Sequence, residues 1–98
     1  MEKKDDVNIC GLQPETLFGI LICKSVFEAL NQPFCITSVC DGQHKQGSKH
    51  YDGYAFDLRI FSLRGISAIE MRDRLQRALG GQFDVVLEPT HIHVEFDP

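Results

Sequence analysis

A chain of 98 residues fits one domain, 1–98, and its net charge of −4 without any basic block excludes a nucleic-acid phosphate backbone as partner. A domain this small buries only roughly 60–65% of the surface its unfolded chain exposes, so a bound metal would usefully add to its stability. The apolar run at 17–23 is seven residues long, too short to cross a bilayer, which excludes membrane insertion.

The opening Met-Glu-Lys-Lys-Asp-Asp is charged and carries no signal peptide behind it, so synthesis in the cytoplasm as a soluble protein is expected. Residues 1–12 read as a loose lead-in. Pro14 suits a first helical turn, and 15–30 reads as a helix stopped by Asn31-Gln32-Pro33. Its apolar residues (Leu17, Phe18, Ile20, Leu21, Ile22, Val26, Phe27, Leu30) cover more than one stripe, which predicts burial on two sides. Residues 34–39 are rich in β-branched and aromatic types and predict a strand. A polar loop follows at 41–49. Asp52-Gly53 marks a turn, after which 54–61 alternates as a strand. Tyr54, Phe56, Leu58 and Ile60 face one way; Ala55, Asp57 and Arg59 face the other.

Ser67-x-x-Glu70 is a capping box, and Ala68, Met71, Leu75, Ala78 and Leu79 form one stripe of a helix ended by Gly80-Gly81. Residues 83–87 and 91–96 predict two more strands, joined by Glu88-Pro89-Thr90 as an antiparallel hairpin. The expected fold is α+β, with helices packed on one face of a small, mainly antiparallel sheet. Cys10, Cys23, Cys35 and Cys40 include no Cys-x-x-Cys pair, and in a reducing compartment they read as free thiols packed as small hydrophobes. Cys35 and Cys40, five apart in a strand, point to opposite faces and do not chelate together.

The chemistry gathers on two stretches. His50 precedes the Asp52-Gly53 turn, and Asp57 lies on the strand after it, seven residues on. In Thr90-His-Ile-His-Val-Glu-Phe, His91, His93 and Glu95 share one face, while Ile92, Val94 and Phe96 are free to pack inward. Two strands that each carry an apolar face and a His/Asp face suggest a site for one zinc ion on the polar side of the sheet. Such a site needs three protein ligands and an open position, and His50, Asp57 and one histidine of the pair supply that count. Glu95 reads as a solvated strand-face residue.

Ser48-x-His50-x-x-Gly53-x-Ala55-x-Asp57, followed about 35 residues on by His91-x-His93, resembles the signature of the D-alanyl-D-alanine metallopeptidases. The resemblance covers 36–96, about two-thirds of the chain, and with its Asp41-Gly-x-His44 lead-in is nearest the small bacteriophage-type versions. It implies a zinc carboxypeptidase or endopeptidase acting on peptidoglycan stem peptides at the cell wall, as a monomer, with a fold related to the hedgehog signalling domain. It further implies His93 as the third ligand, with His91 beside it as a transition-state group. Glu88, five residues before His93, becomes the general base, while Ser48 and His44 contact substrate. Glu88-x-x-His91 also admits a dipeptidase-like reading in which His91 is the ligand. The family's arginine after a Thr-Ser pair is missing, because Thr37-Ser38 leads into Val39-Cys40-Asp41. Lys45 or Arg59 could replace it, although Arg59 reads more simply as partner to a neighbouring carboxylate. The alternative function is a non-catalytic, metal-stabilised binding domain of the hedgehog kind.

Overall fold

The structure, a computed structural model, describes residues 13–39 and 54–98, and residues 2–3 by their backbone alone. The elements in chain order are β1 (Glu2–Lys3), α1 (Pro14–Ala29), β2 (Cys35–Ser38), β3 (Ala55–Arg59), α2 (Ala68–Leu79), β4 (Phe83–Leu87) and β5 (His91–Phe96). The expected α+β architecture holds. Strands β2, β3, β5 and β4 form an antiparallel sheet in that spatial order, and β1 adds in parallel to the outer edge of β2. Part of the lead-in expected to be loose is therefore an edge strand.

Pro14 does open α1, where its missing N–H costs nothing. The helix ends on a Schellman motif. Asn31 takes a left-handed φ of 56°, the Gln32 N–H donates to the Phe27 carbonyl at 2.8 Å, and the Asn31 N–H donates to that of Glu28 at 3.0 Å. Gln32 then ties this corner to the loop before α2, its side chain exchanging two hydrogen bonds with the Arg64 backbone at 2.6 and 2.8 Å.

Helix α2 begins on Ser67, whose Oγ accepts from the Glu70 N–H at 3.0 Å. The reciprocal half of the capping box is not made with the glutamate, because Glu70 Oε2 instead accepts from Arg74 Nε at 3.0 Å, one turn on. Gly80 ends α2 at φ 87°, a conformation that favours glycine.

Both helices feed one core. Ile20, Cys23 and Phe27 of α1 and Met71 and Leu75 of α2 pack with Ile36, Phe56, Leu58, Val85, Ile92 and Val94 from the inward-facing strand positions. Phe27 meets Phe34 edge-on at 5.2 Å. Helix α1 departs from expectation. It buries one side only, with Thr16, Gly19, Ile20, Cys23 and Phe27 inward, and leaves Leu17, Phe18 and Leu21 at 39, 66 and 58% exposure. Its sheet-facing side comes so close that a Cβ at Gly19 would lie 2.7 Å from the Phe83 ring. Cys23 and Cys35 are free and buried as expected, and burial pushes the Cys23 thiol pKa far up; Cys10 and Cys40 lie outside the described residues. No helix among the described residues is long and apolar enough to cross a membrane.

Strand β4 is the free edge of the sheet, and α2 covers its polar backbone. Gln76 Nε2 donates to the Phe83 carbonyl at 2.8 Å, Gln76 Oε1 accepts from the Val85 N–H at 3.1 Å, and Arg72 Nε donates to the Val85 carbonyl at 2.9 Å. Two side chains thus take the place of a neighbouring strand. Replacing the α2 cap, Ser67→Ala, is expected to lower stability by about 1 kcal/mol. Ser67→Asp should retain it, as read by urea denaturation.

Candidate functional site

The register of three strands assembles the site. Across β3 and β5, Asp57 pairs with His93, Arg59 with His91 and Ala55 with Glu95; across β4 and β5, Val86 pairs with His93 and Asp84 with Glu95. Side chains alternate along each strand. With Phe56, Leu58, Ile92 and Val94 buried among the helices, Asp57, His91, His93 and Glu95 fall on the opposite face. A shifted register between β2 and β3 brings Ser38 opposite Asp57, and the Thr37 hydroxyl donates to the Asp57 carbonyl at 3.5 Å.

Asp57 is the centre of this face and only 7% exposed. Its Oδ1 lies 3.1 Å from His93 Nδ1 and 3.6 Å from His91 Nε2. The far nitrogen of His93, Nε2, lies 3.1 Å from Glu95 Oε1, and His91 Nδ1 lies 3.1 Å from Thr90 Oγ1. His93 is the more enclosed imidazole, with 22% of its side chain exposed against 30% for His91.

A neutral imidazole has one N–H, so it can donate to only one of the two carboxylates that flank His93. The imidazolium donates to both. Its pKa is accordingly raised above the usual 6.5, chiefly by the hydrogen bond to Asp57; burial opposes the shift, and Glu95 adds to it.

Of the expected site residues, the structure brings together Asp57, His91 and His93. Glu88 heads the β4–β5 link, where its N–H donates to the His91 carbonyl at 2.8 Å and closes the hairpin. Among the described residues no hydrogen bond or ion pair joins the Glu88 side chain to Asp57, His91 or His93. His44, Ser48 and His50 lie outside the described residues.

Two readings change. Glu95 is half-buried and bonded to His93 rather than merely solvated, and the signal for that was its place two residues along the same strand face. Arg59 pairs with no carboxylate among the described residues. Its guanidinium lies 4.7 Å from the centre of the Phe61 ring, and its buried Nε has no hydrogen-bond partner.

Donor atoms on a tetrahedral zinc stand about 3.3 Å apart, given bond lengths of roughly 2.0–2.1 Å. The 3.1 Å between Asp57 Oδ1 and His93 Nδ1 is a hydrogen-bond distance that is also compatible with that spacing. Asp57, His91 and His93 do not close into a trio. Among the described residues, the group whose donor atoms all lie within 4.8 Å of one another is Asp84, Glu95 and Asp97, an acidic cluster that sequence reading did not single out. The two imidazoles thus flank Asp57, leaving one of them to join it at a common point.

Comparison with family models, with curated proteins and with solved structures finds no match to this chain.

The raised His93 pKa carries a pH signature in metal-free protein. Because the folded value exceeds the unfolded one, the stabilisation is full below about pH 6.5 and is lost as pH rises through the folded pKa. Denaturation in the presence of a chelator is expected to show lower stability at alkaline than at mildly acidic pH, and His93→Gln should remove that component of the slope.

Proposed function

We propose that this chain is a zinc-dependent peptidase that hydrolyses peptide bonds in bacterial peptidoglycan, in its stem peptides or cross-bridges. The observation that carries the reading is the cross-strand pair Asp57–His93, held at 3.1 Å on the sheet face away from the helices. Its residues belong to the His50/Asp57/His93 pattern that resembles the D-alanyl-D-alanine metallopeptidases. Asp57, His93 and, by that resemblance, His50 are the proposed ligands. The shorter distance and deeper burial favour His93 over His91.

A zinc ion held by these residues would supply Lewis-acid activation of a water. Glu88 is the proposed base: its carboxylate takes the proton from the attacking water and returns it to the departing amine. It sits half-buried at the mouth of the hairpin that carries both histidines, so substrate contact rather than a preformed hydrogen bond has to align it. His91, between Thr90 and Asp57, is the proposed hydrogen-bond donor to the developing oxyanion. Ser48 and His44 are proposed substrate contacts. Arg59, opposite His91 on β3 and free of any carboxylate partner among the described residues, is offered as the cation that receives a carboxylate of the peptide.

Purified muropeptides test the reading. Glu88→Ala is expected to keep its zinc by elemental analysis and to lose roughly 10²–10⁴-fold in cleavage rate. Cleavage at the wild-type rate would show that Glu88 is not the base. Zinc bound with no cleavage by the wild type would instead favour the metal-stabilised binding domain, and product masses would identify the bond cut. For Arg59→Ala, a raised KM is expected on peptides with a free carboxylate at the recognised position, with no change on their amidated counterparts.

A further inference from the structure

We propose that Glu95 is a positioning residue for His93, holding its ring so that Nδ1, and not Nε2, is presented to the metal beside Asp57. The inference rests on the zinc reading above and adds to it a residue outside the pattern of the resemblance.

A histidine can give an ion the lone pair of one ring nitrogen only, and the other nitrogen then bears hydrogen and needs an acceptor. The period of a strand puts Glu95 on the same face as His93, one side-chain step away, with its Oε1 3.1 Å from Nε2. The surroundings leave Glu95 available for that bond. Across the sheet it faces Ala55, a fully buried methyl without a polar group, on one side and Asp84 on the other. Asp84 and Asp97, whose carboxylate oxygens come within 4.8 Å of its own, are carboxyl groups like it and bring no N–H donor to it. His93 Nε2–H is thus the donor that Glu95 receives among the described residues. The bond to Glu95 holds Nε2 and the ring plane, and it leaves Nδ1 on the side of Asp57 Oδ1, 3.1 Å away, where a metal could take the place of the proton between them.

The competing account makes Glu95 itself a cation ligand together with Asp84 and Asp97. The two accounts differ in which nitrogen meets the metal and in which neighbours matter. Zinc affinity of the full chain can be read by competition with a chromogenic chelator. Glu95→Ala is expected to bind zinc about 10–100-fold more weakly than wild type. Glu95→Gln, a neutral acceptor of the same shape, should lose less, and Asp84→Asn should match wild type. Long-range nitrogen–proton NMR of the zinc-loaded wild type is expected to show His93 metal-bound at Nδ1 and protonated at Nε2.

Wild-type affinity in Glu95→Ala, zinc on Nε2, or an equal loss in Asp84→Asn would overturn the assignment. The underlying site is checked separately by Asp57→Ala. If that variant loses zinc while Glu95→Ala keeps it, only the role of Glu95 fails. If Asp57→Ala binds as wild type does, or the wild type binds no zinc, the proposed function fails and the role of Glu95 with it.

Discussion

The pairing of β3 with β5 is the constraint on which the rest of this molecule depends. Phe56, Leu58, Ile92 and Val94 are fully buried from these two strands, and they meet α1 and α2 in one core. Because side chains alternate along a strand, burying those four sends Asp57, His91, His93 and Glu95 to the other face. A slip of one residue in either strand would exchange the two sets, placing charged groups against Phe27 and Met71. The large cost of unpaired charge in the core therefore holds the polar residues in register as firmly as packing holds the apolar ones. Site and core are two sides of the same pairing.

That pairing places an imidazole between two carboxylates, and the arrangement favours a positive charge. The hydrogen bonds to Asp57 and Glu95 favour the imidazolium form of His93, in which both ring nitrogens donate, and burial opposes it. A cation between Nδ1 and Asp57 Oδ1 would take the place of the proton there while leaving the Nε2–H bond to Glu95 unchanged. Proton and metal would then compete for one nitrogen. The nearly buried Asp57 gains from both, since a carboxylate withdrawn from water must be compensated by hydrogen bonds or opposite charge.

The sheet's outer strands are handled by different means. On one side, β1 pairs with β2. On the other, α2 turns its Gln76 and Arg72 side chains onto the backbone of β4, which blocks the groups a further strand would use. On α1, Leu17, Phe18 and Leu21 stand outward while the helix buries its opposite side.

Local patterns in the chain determined a good deal by themselves. Pro14, the Asn31-Gln32-Pro33 stop, the Ser67 cap and the Gly80 end bound the two helices, and period-two alternation assigned the residues of β3 and β5 to their faces. These features act over at most a few residues, where backbone geometry translates sequence directly into shape. The partnership of His93 with Glu95 and the gathering of Asp84, Glu95 and Asp97 were decided by tertiary structure. So were the one-sided burial of α1 and, among the described residues, the lack of a carboxylate beside Arg59. Each depends on which distant segments meet and in what register, and that follows from the packing of the whole core rather than from any local spacing.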